Sequence, residues 1–456
     1  MSHHQPDPNK SVTLTIDGKP VTVPEGTRIL EAAKKANVNI PTLCEHPELC
    51  KRALCRICVV EADGRGKLIA ACANDVWEGV SIVTTNQRLL NIRKTIVELI
   101  LANHPQDCLS CIRNKKCELQ SLALSFGIGA SLFENDAQER QPQIESETLV
   151  RNMDKCVKCG RCVEVCQEVQ TIRAINTSHR SYEYEISTPY KQALEESFCT
   201  FCGKCAEVCP VGAIYEHDQT AEVRAALNDK SRKVIAQVSP NLAVAVNDEL
   251  ALSADTITTG KLITAIKLLG FDKVFDASIA ENAVNAEIAG EVKQRGNGGK
   301  LLPVISGCSE GVANFIKNFY PDLADHLTTV KSSRRYFASS IKSGYAKETG
   351  VELSNITSVS FLPCLAHKYG AGSPQDFAIT AKELVRMLKL AGIVVETLAE
   401  TSFDNINIDL PKQESSVKKE TVHGYAQARK VMEAIRDGKC ETEWVEILNC
   451  PESDSC

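Results

Sequence analysis

Two stretches decide how this chain is read: Cys156-Val-Lys-Cys-Gly-Arg-Cys-Val-Glu-Val-Cys166 and Cys199-Thr-Phe-Cys-Gly-Lys-Cys-Ala-Glu-Val-Cys-Pro210. Both have the spacing C-x2-C-x2-C-x3-C, so the pattern is an internal duplication. A tetrahedral zinc site is filled by two CxxC pairs and gains nothing from a third close thiol. Soft thiolates in this number and spacing suit iron–sulfur clusters.

The duplicated run is the bacterial two-cluster pattern, in which the fourth cysteine of each run ligates the other cluster. The expected ligand sets are therefore crossed. Cys156, Cys159, Cys162 and Cys209 would hold one [4Fe–4S] cluster, and Cys199, Cys202, Cys205 and Cys166 the other. Gly160 and Gly203 each follow the second cysteine of their run. A missing Cβ there lets backbone N–H groups approach sulfur. Gln167 stands where the first run would carry a proline, and it touches no ligand position. The unit is taken as residues 140–220, a ferredoxin domain with two [4Fe–4S] clusters.

Upstream, residues 86–103 predict one amphipathic helix, with Leu89, Ile92, Ile96 and Ile100 at helical spacing. His104 follows, then Cys108, Cys111 and Cys117, as H-x3-C-x2-C-x5-C. A lone histidine is usually structural. Here it stands beside three cysteines that lack a fourth partner, and imidazole can complete a cubane. Residues 86–139 are therefore expected to form a one-His/three-Cys [4Fe–4S] domain. A neutral ligand in place of a thiolate makes the cluster less negative and should raise its potential.

Residues 1–85 open with alternating Val12, Leu14 and Ile16, an Asp17-Gly18 turn, then alternating Val21 and Val23, which predicts a hairpin. Thr27–Ala36 has a helical pattern after Pro24. Cys44, Cys55, Cys58 and Cys72 follow as C-x10-C-x2-C-x13-C. Four thiolates close the two tetrahedral irons of a [2Fe–2S] cluster, and the hairpin and helix suggest a β-grasp, plant-type ferredoxin. A zinc site or buried free thiols are the alternatives. Cys50 lies inside the long gap and is expected to be a spectator.

Composition sets the frame. The chain has 456 residues, enough for several domains at a common size of about 150. Apolar residues are 43%, which excludes a wholly disordered chain. Lys plus Arg is 52 against 58 Asp plus Glu, a net charge of −6, which gives no general case for nucleic-acid binding. Twenty-one cysteines, with no apolar signal in MSHHQPDPNK, suggest a reducing cytoplasm where thiols serve as metal ligands. No run of 18 apolar residues suggests a membrane span.

Fifteen of the 21 cysteines fall in the four groups above; Cys308, Cys364, Cys440, Cys450 and Cys456 are scattered through residues 221–456. That part reads as α/β. Val234–Val238, Phe271–Phe275, Leu301–Ile305 and Ser358–Leu362 are strand candidates. Lys261–Leu269 and Gly424–Asp437 are helix candidates, and Gln413–Glu420 reads as a loop. Partly parallel sheets with flanking helices are expected, with Cys308 and Cys364 at strand carboxyl ends, where such folds place ligands. No G-x-G-x-x-G or G-x-x-x-x-G-K-[ST] occurs; RGNGGK at 295–300 reads as a surface loop.

This order of modules resembles the multi-cluster [FeFe]-hydrogenases over nearly the whole chain, and the first 120 residues also resemble the large iron–sulfur subunit of NADH dehydrogenase. The hydrogenase-like text is LLGFDKVFDASIAENAVNAEIAGEV at 268–292, ISGCSEG at 305–311, FLPCLAHKYG at 361–370, DFAITAKELVRMLK at 376–389 and HGYAQARKVMEAIRDGK at 423–439. The family's first motif has two adjacent cysteines, the first donating protons to the di-iron site; here Gly307 precedes Cys308. The second motif has a lysine, which binds a cyanide ligand of the di-iron unit, and a glutamate; here His367 and Gly370 stand at those positions. The Gly-rich segment between Phe403 and His423 is absent. The final C-x3-C is replaced by Cys450-Pro-Glu-Ser-Asp-Ser-Cys456.

The resemblance implies a degenerate hydrogenase-like α/β domain with the di-iron pocket dismantled. Cys308, Cys364, Cys450 and Cys456 would then hold a plain fourth [4Fe–4S] cluster, or remain as relics. Such chains resemble relay subunits of flavin-based electron-bifurcating NAD(P)H/ferredoxin oxidoreductase (transhydrogenase) complexes. The expected partners are an FMN-containing NADH dehydrogenase-like subunit, a small thioredoxin-like [2Fe–2S] subunit and ferredoxin. FMN or FAD and NAD(P) are expected on those partners. The alternatives are the same relay in a [NiFe]-hydrogenase or formate dehydrogenase complex, and a catalytic [FeFe]-hydrogenase with divergent motifs.

Overall fold

The computed structural model describes residues 7, 10–49, 52–63, 66–129, 132–133, 143–298, 301–370, 376–406, 411 and 417–450. Cys50 and Cys456 lie outside them.

The chain opens with a hairpin of β1 (Ser11–Ile16) and β2 (Lys19–Pro24), antiparallel as the alternation predicts. Val12, Leu14 and Ile16 face the core. Asp17 and Gly18 both adopt positive φ, the conformation a two-residue hairpin turn requires. Helix α1 (Ile29–Lys35) follows, shorter than the pattern over Thr27–Ala36 suggests. Strands β3 (Val59–Ala62), β4 (Lys67–Ala70) and β5 (Ser81–Val83) complete a five-stranded sheet in the order β2-β1-β5-β3-β4, with β1 and β5 parallel.

Helix α2 (Gln87–Ala102) begins at Asn86, whose side chain accepts from the Leu89 N–H at 2.8 Å. Its most buried stripe is Leu89, Arg93 and Val97: the leucine of the sequence pattern is buried as expected, while Ile96 and Ile100 only flank the stripe, partly buried. A buried arginine is the reason: Arg93 donates to the Val59 carbonyl at 2.7 Å and turns the helix face toward β3. After α3 (Glu118–Ser125), β6 (Gln143–Ile144) and β7 (Leu149–Arg151) lead into the two short helices of the duplicated runs, α4 (Arg161–Glu164) and α5 (Lys204–Glu207). A small ribbon of β8 (Asn176–Ser178) and β9 (Glu185–Ser187) separates them, and β10 (Ile214–Glu216) pairs with β7.

One apolar core runs through these modules. It contains Leu43 and Ile57, Val97 and Leu119, and Leu149, Val163 and Phe201. Arg161 ties the same three segments together. It grips the Glu118 carboxylate with two bonds of 2.6 and 2.7 Å and reaches the Glu45 carbonyl at 2.8 Å. Burial works against its charge, and Glu118 more than offsets that.

The remainder is α/β. Helix α6 (Thr220–Asn228) leads to β11 (Lys233–Val238), α7 (Leu242–Glu249), α8 (Thr259–Leu268) and β12 (Lys273–Asp276). The long α9 (Ser278–Asn297) absorbs Arg295, Gly296 and Asn297, so the first half of RGNGGK closes a helix instead of forming a loop. Arg295 explains this: it bonds Glu291 one turn back and the carbonyls of Asp325 and Leu327. Then come β13 (Val304–Gly307), α10 (Glu310–Phe319), α11 (Ser333–Tyr336), α12 (Lys342–Thr349), β14 (Ile356–Leu362), β15 (Asp376–Thr380) and α13 (Ala381–Leu390). Strand β16 (Lys419–His423), α14 (Gly424–Arg436) and β17 (Trp444–Leu448) finish the chain.

Two parallel sheets result, β12-β11-β14-β15 and β13-β17-β16. Every pairing in them is parallel, where only partial parallelism was expected. Lys419 and Glu420, expected in a loop, belong to β16, because their backbone pairs with Trp444 and Val445 of β17. All seven residues of β14 are buried, as a strand covered on both faces requires.

Candidate iron–sulfur sites

In the first module the four thiols contact one another. Cys58 and Cys72 lie 3.3 Å apart, Sγ to Sγ. The hydrogen bond from Cys55 holds Cys44 down at about 2, with a further bond from Cys72. The Cys44 bond pushes Cys55 up, and bonds with Cys44 and Cys58 do the same to Cys72. Cys72 in turn brings Cys58 to about 7. The four thiols are thus hydrogen-bonded to one another in one place, a four-sulfur donor set of the kind a [2Fe–2S] cluster takes up. Ala53 and Arg56 adopt positive φ in the loop that carries Cys55 and Cys58. Arg93, which the sequence did not single out, is 3% exposed and feels the charge of Cys58, although burial opposes its own.

In the second module His104 is buried, and its Nδ1 has no hydrogen-bond partner. Burial and the Lys155 ammonium bring it down to about 4, so the imidazole is neutral and has a lone pair to offer. Cys117 is buried at the start of α3 and feels Cys111 and Cys108, which are half-buried. The loop lies over the segment after Cys209. The Glu118 N–H donates to the Pro210 carbonyl at 3.0 Å, and a Cβ on Gly212 would stand 3.0 Å from Cys111 Sγ.

The duplicated runs fold alike to a degree the cysteine spacing does not require. Lys158 and Gly160 in the first, and Phe201 and Gly203 in the second, take the same left-handed conformation. As a result the Lys158 N–H points at Cys156 Sγ and the Phe201 N–H at Cys199 Sγ, each at 3.4 Å. A lysine and a phenylalanine at positive φ are costly, by about 1–2 kcal/mol each. Their recurrence two residues after each first cysteine is visible only in the fold, since lysine and phenylalanine share no preference for this conformation. Cys209 lies near the first run and Cys166 near the second, although Cys205 also feels Cys209 and Cys162 also feels Cys205. Cys156, Cys159 and Cys162 each feel Cys209, whereas Cys199, Cys202 and Cys205 each feel Cys166. Burial pushes all six up. No three His, Cys, Asp or Glu groups among the described residues converge closely enough to chelate one metal ion. A polynuclear cluster brings its own sulfides and takes its thiolates at the periphery.

The second run faces the α/β part directly. A Cβ on Gly203 would meet Leu365 at 2.8 Å, and one on Gly311 would stand 2.0 Å from the Thr200 carbonyl oxygen. These two contacts bring the Cys199–Cys205 loop beside Cys364 and Cys308. Phe201 stacks on Tyr369 at 4.3 Å between ring centroids.

Cys308, Cys364 and Cys450 follow the carboxyl ends of β13, β14 and β17. Cys308 is pushed up to about 12 by burial and by the charge of Cys364, and Cys364 is raised by burial. Cys450 is buried. Cys456, the fourth thiol of the expected set, is outside the described residues. Cys440 stays apart, its thiol 3.0 Å from the Thr442 hydroxyl.

Beside Cys308 lies a cavity of about 740 Å³, lined among others by Glu281, Glu310, Arg335, His367 and Glu446. Of the motif departures, Gly307 and His367 line it. A Cβ on Gly307 would come within 2.4 Å of Val312 Cβ, and one on Gly370 within 2.1 Å of Glu310 Cγ. Both obstructions sit in the first turn of α10. His367 Nε2 is buried without a partner, and burial and Arg334 lower its pKa to about 4, so it is no cation there. Lys368, the next residue, is fully buried. It bonds both Glu383 oxygens at 2.7 and 2.8 Å and the His217 carbonyl at 2.7 Å, fastening the Cys364 loop to the exit of β10.

Four modules with these donor sets define an iron–sulfur protein of the oxidoreductase class. Residues 9–87 match a 2Fe-2S iron–sulfur cluster binding domain, 93–131 the NADH-ubiquinone oxidoreductase-G iron–sulfur binding region, and 146–215 the ferredoxin-like domain of NADH-quinone oxidoreductase subunit 3. Residues 232–413 match the C-terminal domain of the iron-only hydrogenase large subunit. The chain is 36% identical over 413 residues to the NADP-reducing hydrogenase subunit HndD of Solidesulfovibrio fructosivorans, covering 86% of this chain and 71% of that one. It is 30% identical over 406 residues to iron hydrogenase 1 of Clostridium pasteurianum, covering 86% and 70%. Over 205 residues it is 35% identical to the NADPH-Fe(3+) oxidoreductase subunit alpha of Geobacter sulfurreducens, covering 44% of this chain and 24% of the relative.

The chain belongs to the iron-hydrogenase family in its multi-cluster form. It is an electron-transfer subunit with [2Fe–2S] and [4Fe–4S] cluster-binding domains ahead of a hydrogenase-like α/β domain. Among the described residues no helix is long and apolar enough to cross a membrane.

Proposed function

We propose that this chain is the iron–sulfur relay subunit of a flavin-based, electron-bifurcating NAD(P)H/ferredoxin oxidoreductase, and that it has no hydrogen-evolving site of its own. The observation that carries this reading is the contrast at one contact. The crossed thiol sets lead to the Gly203–Leu365 junction beside Cys364, yet the positions of the proton-donor thiol and the glutamate are glycines whose Cβ space is filled by Val312 and Glu310. The names of the relatives, an NADP-reducing hydrogenase subunit and an NADPH-Fe(3+) oxidoreductase subunit, support a nicotinamide-linked hetero-oligomer.

In this reading Cys44, Cys55, Cys58 and Cys72 hold a [2Fe–2S] cluster. His104, Cys108, Cys111 and Cys117 hold a [4Fe–4S] cluster, and the two crossed sets hold two more. With the disulfide at Cys450 reduced, Cys308, Cys364, Cys450 and Cys456 hold a fourth [4Fe–4S] cluster. When bound, such clusters exchange electrons singly, which splits the pair that a flavin or nicotinamide carries. The protein's own residues do the rest. Buried thiols exclude water, the Lys158 and Phe201 N–H groups aim at sulfur, and Lys368 holds the Cys364 loop against the ferredoxin unit. FMN-bearing and thioredoxin-like partner subunits, and ferredoxin as an acceptor, complete the assembly.

The test is anaerobic purification after co-expression with hydrogenase maturation proteins, of the chain alone for iron content and infrared spectra and of the chain with its native partners for subunit identity. An iron content of about 18 per chain, with no infrared bands of iron-bound CO or CN, is expected. Such bands would restore a catalytic hydrogenase. A content of about 14 would remove the C-terminal cluster. Co-purified [NiFe] or formate dehydrogenase subunits, in place of a flavoprotein pair, would reassign the relay to those complexes.

A further inference from the structure

Asn449 stands one residue before Cys450, is 2% exposed, and has all four of its polar groups engaged. Its backbone N–H donates to Cys308 Sγ at 3.3 Å. Its Nδ2 donates to the Ser309 hydroxyl at 2.6 Å, and its Oδ1 accepts from the Tyr425 hydroxyl at 2.8 Å. Its carbonyl accepts from Gln170 Nε2 at 3.3 Å, across 279 residues of sequence. The partners come from the end of β13, from α14 and from the segment four residues beyond Cys166. One side chain therefore joins a candidate ligand of the C-terminal set to the module that carries Cys166.

We propose that Asn449 is a positioning residue for Cys308. Its side chain, clamped between Ser309 and Tyr425, sets the peptide plane that delivers an N–H to the Cys308 sulfur. The Gln170 bond keeps that plane in register with the ferredoxin unit. The inference rests on the reading of Cys308 as a cluster ligand. A donor aimed at a ligating sulfur favours the more negative, reduced state and raises the reduction potential. Gln170 Oε1 is itself buried without a partner, so the remaining bonds carry the arrangement and loss of one should loosen the rest. Gly311 belongs to the same device. Without a Cβ it admits the Thr200 carbonyl and lets the two modules close around Asn449.

The experiment is a redox titration followed by electron paramagnetic resonance on the full complex, with wild type, Asn449→Ala and Tyr425→Phe compared at equal iron content. In Asn449→Ala one signal is expected to move to lower potential, with the others unmoved. Tyr425→Phe, which deletes one hydroxyl, should move the same signal less. Loss of about four irons confined to that signal also supports the positioning role, and Tyr425→Phe then carries the potential measurement. An unmoved signal in both variants, or an equal shift of every signal, overturns the proposal. Iron of about 14 in the isolated wild-type chain overturns the underlying ligand reading instead, and is told apart because it appears before any substitution is made.

Discussion

The ferredoxin unit and the α/β domain build thiol sites on opposite plans. In the unit, the three thiols of each run come from one short loop, so their spacing in sequence is nearly their spacing in space. In the α/β domain, Cys308, Cys364 and Cys450 follow three strands of two different sheets, β13, β14 and β17. The first plan makes a site robust to its surroundings. The second makes it depend on whatever holds the strand ends: Asn449 on Cys308, Lys368 beside Cys364, and the glycines under Leu365 and Thr200.

The comparison breaks most visibly at a loop ligand. Cys199→Ser should remove or cripple one ferredoxin-type cluster, with loss of about four irons per chain, and abolish most NADH–ferredoxin coupling. Full coupling without that cluster would show that the relay bypasses it. At the strand-end site, Lys368→Met leaves Glu383 charged and unpaired in a fully buried position, a destabilisation of about 3–5 kcal/mol. Chemical denaturation should show it, and Lys368→Met combined with Glu383→Leu should recover most of the loss. If the single variant unfolds normally, the Cys364 loop is not held by that pair.

Gly307→Cys sharpens the contrast by attempting to restore the missing thiol. Its Cβ would collide with Val312, and overpacking of this kind costs about 1–3 kcal/mol. Adding Val312→Ala should relieve the strain, and thermal unfolding of the single and double variants measures both steps. A single variant as stable as wild type would mean that α10 shifts freely and that the glycine is no barrier. The smallest effect is expected at His104→Cys, which leaves the fold alone and makes the cluster more negative. Its midpoint should fall in a redox titration. An unchanged midpoint would remove His104 from the ligand set.

Much of the N-terminal half was legible because local chemistry wrote it. The hairpin at Asp17-Gly18 and the duplicated thiol runs each depend on residues within a few positions of one another. Past Leu89 the buried stripe of α2 was misplaced because an arginine, polar by type, was drawn inside by the Val59 carbonyl and the thiols nearby. The helical end of α9 and the strand at Lys419 were missed for a similar reason. Their partners, the carbonyls near Leu327 and the backbone of β17, are far away in the chain.

The sequence by itself determined which residues could be ligands and into how many groups they fall, since thiol count and spacing are covalent facts. It also determined that the motif positions at 307, 367 and 370 had changed. Only the tertiary structure decided that Val312 and Glu310 fill the space above the two glycines, that Gly203 and Gly311 meet Leu365 and Thr200, and that Asn449 reaches Cys308. Apart from Gly307 and Val312, which meet across the turn from β13 into α10, such contacts join residues tens to hundreds of positions apart, and the short-range preferences of a chain carry no record of them.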